Sequence, residues 1–260
     1  MLSRADGELA IRGRADRVVS PRHRFEHGPQ RGLQPGHVGP GEHAADRLFR
    51  PFEEDVRNLH LRGAGPPEEL IAHAGRVCYR SASRGDAGAF IRARLRDGHE
   101  SIIEHAAATF ELSGISRACS HQLVRHRLAS YSQESQRYTV MDAPEWVVPE
   151  AIAGDPEASR IWEEFATQVQ EAYRGLRERG VRKEDARFVL PNATATRLVV
   201  TMNFRELLHF FRVRITPDAQ WEIRNVAVEM LQLIAPHSPA IFGALLEELR
   251  ARYPTFFAAA

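Results

Sequence analysis

Between Arg125 and Tyr138 the chain reads RHRLASYSQESQRY, which gathers three arginines, one histidine, three serines, two glutamines and two tyrosines into fourteen residues. Guanidinium groups are planar, permanently charged forks that meet phosphate or carboxylate oxygens two at a time. Arg125 and Arg127 flank His126, so a phosphorylated ligand is the first inference. The hydroxyls of Ser130, Ser132 and Ser135 and the carboxamides of Gln133 and Gln136 add neutral donors and acceptors of the kind that read a base or a ribose. Together they suggest a nucleotide. The plainer alternative is a solvated helix end followed by a polar loop. Acyl transfer through Ser135 is a third reading, but no G-x-S-x-G surrounds that serine.

Composition narrows the classes. A formal charge of +1 and 43% hydrophobic residues describe an ordinary globular chain, and argue against a nucleic-acid coat. Lys183 is the only lysine, so a lone arginine carries little meaning in this sequence. Cys78 and Cys119 sit in no metal-ligand spacing and read as small core residues. No charged segment followed by an apolar run opens the chain, and no apolar run approaches the roughly 20 residues of a membrane span. A reduced cytoplasm and no membrane association are therefore expected.

Regular elements must hold these groups. Residues 1–50 are rich in arginine, glycine, proline and histidine and lack apolar periodicity, so a disordered extension is expected there, with one domain over 52–260. PPEELIAHAGRVCYRS predicts a helix with Leu70, Ile71, Ala74, Val77 and Cys78 on its buried face. DAGAFIRARLRDG predicts a second, with Asp86 as N-cap and Gly98 just past its end. AAATFEL alternates as a strand does, and ISRACSHQLVRHR returns to helical spacing with Ile115, Cys119 and Leu123 inward and Arg117, His121 and Arg125 on a second line. Trp162, Phe165, Val169, Tyr173 and Leu176 stripe a long helix, and Ile223, Ala227, Met230 and Ile234 stripe another. ATRLVVTM suits a strand; NFRELLHFFRVR follows as a helix, with Phe204, Leu207, Leu208 and Phe211 on one face and Arg205, His209 and Arg212 opposite. There is no Gly-rich phosphate loop and no H-E-x-x-H.

Residue order adds what composition cannot. Arg125-His126-Arg127, seven residues and then Ser135 resemble the RHR-x(7)-S signature of the flavin-dependent thymidylate synthases. GHESIIEH at 98–105 resembles that family's upstream box, EDARFVLP the segment before its second strand, and MNFRELLHFFRVR with AQWEIR its later nucleotide-binding region. The resemblance runs in order from about Pro66 to the C-terminus. It implies reductive methylation of dUMP to dTMP, with 5,10-methylenetetrahydrofolate as carbon donor and NADPH reducing a bound FAD. It also implies an α/β (α+β) domain with a mixed, largely antiparallel sheet and helical bundles, in a homotetramer whose sites lie between subunits.

Carried over residue by residue, the family's pattern assigns FAD contacts to Ser101, Arg125, His126, Arg127, Gln133, Asn203, Arg205 and His209. It assigns the nucleotide to Gln122, Arg125, Gln133, Ser135, Gln136, Arg137, Arg187 and Arg214. Arg214 is the implied catalytic side chain, a fixed cation near uracil N3 that favours the ionised ring and pushes electron density toward C5. No nucleophile of the protein is required, and no metal is implied. Two departures stand out: around the site, Ser132-Gln133 replaces an Asn-Glu pair of many members and His209 stands where some have asparagine; at the front, a long arginine-rich leader precedes the first matched helix where members usually begin with a short strand, which Leu59 to Arg62 could supply. Two rivals remain: a nucleic-acid binder using the arginine clusters, and a phosphoester hydrolase using His99, His105, His121 and His126.

Overall fold

Alternating burial builds the sheet. The computed structural model describes residues 66–79 and 85–258, together with the backbone of strands β1 (Arg4–Ala5), β2 (Glu8–Leu9) and β3 (Asp55–Arg62). In β4 (Ala107–Ser116) Ala108, Phe110 and Leu112 turn inward, and in β6 (Ala195–Asn203) Leu198, Val200 and Met202 do the same. These six pair across the ladder as Ala108 with Met202, Phe110 with Val200 and Leu112 with Leu198. β5 (Ala129–Gln133) flanks β6 on its outer side, and the order β3-β4-β6-β5 is antiparallel throughout. The resemblance implied a mixed, largely antiparallel sheet in an α/β domain; the α/β class holds, and the four strands are all antiparallel. The disorder expected for residues 1–50 lies outside the described residues, apart from the paired β1 and β2.

A register shift in β4 between Leu112 and Ile115 sets where the next helix begins. Gly114 there has a φ of +75°, a left-handed conformation that costs glycine little. The extra residue returns Ile115 to the core and delivers Ser116 as the N-cap of helix α3.

Among the described residues, seven longer helices surround the sheet: α1 (Pro67–Tyr79), α2 (Ala87–Arg96), α3 (Arg117–Leu123), α4 (Pro156–Glu178), α5 (Phe204–Arg214), α6 (Trp221–Ile234) and α7 (Ala244–Arg252). The apolar stripe of α6 is fully buried, as its spacing predicts, and so are Phe204, Leu207, Leu208 and Phe211 of α5. Each large side chain buried this way contributes about 1.5–3 kcal/mol. α2 takes Asp86 as its N-cap, and Gly98 beyond its end has a φ of +81°.

The buried face of α1 is rotated from the expected one. Ile71, Ala72, Gly75 and Arg76 are buried, whereas Val77 is 63% exposed and Cys78 is exposed. The reason is local: Gly75 faces the Phe90 ring so closely that a Cβ would stand 2.8 Å from Phe90 Cε1, and Arg76 lies 5.1 Å from that ring's centroid. Cys119 is buried as expected; Cys78 is not. The stripe on α4 is also only half covered. Tyr173 is buried in a small cluster with Met141 and Ala186, and Val169 is buried as well, while Phe165 is 42% exposed.

Candidate functional site

Helix α3 is held at both ends. The Ser116 hydroxyl accepts from the Cys119 amide at 2.9 Å, and the buried Glu222 carboxylate of α6 accepts from the Ser116 amide and hydroxyl at 2.6 and 2.5 Å. Burial raises the pKa of Glu222, partly offset by those two bonds. At the other end the helix stops at Leu123, so Arg125 lies past its C-cap and not on the line of Arg117 and His121. The Tyr131 hydroxyl of β5 lies 2.8 Å from both the Leu123 and the His126 carbonyls and donates to this pair. Burial, and then the charge of Glu206, pushes that hydroxyl's pKa up, so it keeps its proton.

This arrangement fixes His126, which is 6% exposed and meets Phe210 edge-on, with ring centroids 4.9 Å apart. Glu206, Phe210 and Arg214 recur at i+4 on α5 and form a row beneath the imidazole. Nδ1 of His126 lies 3.2 Å from Glu206 Oε1, and Arg214 Nε donates to its Nε2 at 3.1 Å. An arginine Nε is only a donor, so Nε2 carries the lone pair and the proton sits on Nδ1. The ring is neutral: burial, followed by the charges of Arg214 and His209, brings its pKa down to about 4. Burial raises that of Glu206, with His209 opposing. Arg214 also donates from Nη2 to the Gln122 carbonyl at 3.2 Å.

Further residues assigned to the flavin stand near this network. Asn203, at the end of β6, caps α5 by accepting from the Glu206 amide at 2.9 Å. Arg205 and His209 lie on the exposed side of α5, and His209 approaches His126 with centroids 5.8 Å apart. Arg205 pairs with Glu104 at 2.5 Å and with Glu100 at 3.8 Å, both on the 3₁₀ turn Glu100–His105 that also carries the exposed Ser101. Arg125 and Arg127 are exposed beside His126 in sequence.

A second set gathers at the other end of β5. Gln133 Nε2 donates to Thr196 Oγ1 at 3.3 Å, and Ser135 Oγ accepts from the Arg137 amide at 3.3 Å. Arg137 donates from Nε to Glu184 Oε2 at 3.2 Å, and Arg187 Nε donates to the Glu184 carbonyl at 3.1 Å. Arg137, Arg177, Arg182, Lys183 and Glu184 line an open cleft of about 260 Å³. Ala129 of β5 pairs with Met202 and Gln133 with Leu198, so the strand's five residues separate the two sets by on the order of 13 Å. Within one chain the predicted residues therefore fall into two separate sets.

Sequence reasoning missed two participants. Glu206 follows Asn203 by three positions, a spacing that reads as a capping box, yet only the asparagine half is made and the carboxylate turns to His126. Arg117 donates to the Glu134 carbonyl at 2.8 Å while its buried Nε has no hydrogen-bond partner among the described residues. Burial lowers its pKa, Glu134 opposes, and the charge of Arg187 lowers it further. Its place on the line with His121 was the available signal. Among the described residues, His, Cys, Asp and Glu nowhere form a group of three or more that could hold a metal ion, and no helix is long and apolar enough to cross a membrane.

An antiparallel α/β protein with arginine-bearing sets at two ends of one strand has the donors that anionic ligands call for. Comparison with known proteins narrows this class. Residues 61–240 match the family model described as thymidylate synthase complementing protein (Thy1). A flavin-dependent thymidylate synthase of Geobacter sulfurreducens is 48% identical over 193 residues, covering 70% of this chain and 83% of that one. The protein of that name from Nitratidesulfovibrio vulgaris is 44% identical over 70% of this chain and 85% of its own. The one from Pyrococcus furiosus is 51% identical over 53% and 58%. The chain belongs to this family of flavin-dependent thymidylate synthases, and it is an enzyme.

Proposed function

We propose that this enzyme converts dUMP to dTMP by reductive methylation, with 5,10-methylenetetrahydrofolate and NADPH as co-substrates and FAD as the flavin, in the cytoplasm. The observation that carries the reading is the anchored Arg214. His126 Nε2 and the Gln122 carbonyl each take one of its donors, so the guanidinium is a fixed cation beside the RHR segment. A fixed cation near uracil N3 stabilises the ionised ring without reorganising at the moment of reaction.

The donor set fits FAD. Ser101, Arg125, Arg127, Arg205 and His209 are all exposed, and together they offer cationic and neutral donors for a diphosphate and a ring edge. When bound, the flavin carries the hydride chemistry, while the protein binds and orients. Ser135, Gln136, Arg137 and Arg187 would hold the nucleotide, with Arg137 and Arg187 on its phosphate. Gln133 can donate and accept hydrogen bonds at either ligand, but it brings no negative charge. Because the two sets stand apart in one chain, each is a half-site, and a complete site takes Arg214 from one subunit and Arg137 from another, within a homotetramer.

Purified protein should be yellow and should form dTMP from dUMP only when both methylenetetrahydrofolate and NADPH are present. Colourless protein that stays inactive after FAD is added would refute the reading.

A further inference from the structure

The row Glu206–His126–Arg214 places two buried groups behind the proposed catalytic arginine, and the first of them is assigned to neither ligand. We propose that Glu206 is a positioning residue: through His126 it orients Arg214, and thereby sets how strongly the site favours the N3-ionised nucleotide. The inference rests on Arg214 being the cation at uracil N3.

The chain of bonds has one consistent direction. Arg214 Nε can only donate, so the proton of the neutral ring sits on Nδ1, which donates to Glu206 Oε1 at 3.2 Å. The imidazole then presents a lone pair at Nε2, and Arg214 Nε donates to that lone pair at 3.1 Å. Arg214 Nη2 is taken by the Gln122 carbonyl at 3.2 Å, which leaves Nη1 as the outward edge of the fork. If the imidazole turned or changed tautomer, an N–H would face the Arg214 N–H and the guanidinium would have to move.

Glu206 and His126 are both more than nine-tenths buried, so water is a poor substitute for either partner. The groups facing His126 are Glu206, His209 and Arg214 from α5 and the Tyr131 hydroxyl from β5. Arg214 and His209 both oppose a second proton on the ring, in keeping with its acceptor role.

This differs from a capping role. The cap of α5 is made by Asn203 with the Glu206 amide, which any side chain at 206 retains. The Glu206 carboxylate can therefore be altered while the cap bond is kept.

The test compares E206L with E206Q in full-length, flavin-loaded protein. A displacement of about 1 Å at a reacting group can cost on the order of a hundredfold. E206L is therefore expected to keep its flavin content and lose kcat by about 10- to 100-fold, with KM for dUMP changed by less than about threefold. The limb of the kcat–pH profile that reports N3 ionisation should move up by about one unit, because a misplaced cation favours the anion less. E206Q should recover most of the rate, since its carboxamide oxygen accepts from Nδ1. A crystal structure of E206L should show Arg214 displaced from the Gln122 carbonyl.

Native kcat and pH profile in E206L overturn the inference. So does a loss that tracks flavin content or melting temperature equally in both variants, or an E206L crystal structure with Arg214 unmoved. The last result needs no turnover. Wild-type protein that makes no dTMP would instead refute the reading beneath it.

Discussion

The two half-sites use the same residue types in opposite ways. Around His126 the polar groups are buried and satisfy one another, so Arg214 is held in place before any ligand arrives. Around Arg137 they are half-buried or exposed, and the arginine is engaged by Glu184, a partner with which a phosphate bound there would compete or cooperate. The first half is preorganised and the second is adaptable. That is the division expected if one half meets charge that develops in the reaction and the other meets charge already present on the substrate.

The largest effect should come from the preorganised half. Arg214→Ala removes the fixed cation and should lower kcat by about 10²- to 10³-fold, with flavin content unchanged, in a steady-state assay of dTMP formation. Arg137→Ala, in the adaptable half, should instead raise KM for dUMP. Equal kcat losses in the two variants would erase the contrast between the halves.

The same pair of variants tests whether the halves come from different chains. Each should be impaired alone, but refolding a mixture should regenerate sites with both arginines intact and recover activity. If the mixture is no more active than the sum of its parts, each complete site is built within one subunit.

Acid should act on the buried half selectively. His126 has its pKa lowered from 6.5 to about 4, so the unfolded chain binds more protons between those values. Its contribution is fully present above pH 6.5 and is lost as pH falls toward 4, a change of roughly 3 kcal/mol at most. Glu206 and Glu222 carry the opposite sign, because their raised pKa values favour the folded state at low pH and lose that advantage as pH rises through them. Thermal melting of wild type against His126→Gln between pH 7 and 4.5 isolates the histidine. A variant with the same slope as wild type would remove His126 from the account.

Much of this was legible in the chain. Alternation gave away β4, and i+4 spacing gave away α5 and α6, because each presents one apolar face to a single core. The RHR segment and Ser135 stood out through their order. The face of α1 did not, because hydrophobicity counts favoured Val77 over Gly75 and a glycine announces neither the ring packed on it nor its distance. Glu206 drew no notice because an acid three residues after Asn203 is ordinary in the first turn of a helix. The division into half-sites was hidden because Arg125 and Arg137 are neighbours in sequence, and only the sheet reveals that β5 carries them apart.

The smallest effect should come from Glu184. Its carboxylate pairs with Arg137 at 3.1 Å and with Arg182 at 2.7 Å, and the arginines are largely exposed. Ion pairs of that kind are worth about 0.2–1 kcal/mol, so breaking one changes an affinity no more than about fivefold. The direction is the informative part. If Glu184 competes with the nucleotide phosphate for Arg137, Glu184→Gln should lower KM for dUMP by about two- to fivefold and leave kcat unaltered. If it instead holds Arg137 in its binding position, KM should rise, and the second half-site would be preorganised like the first.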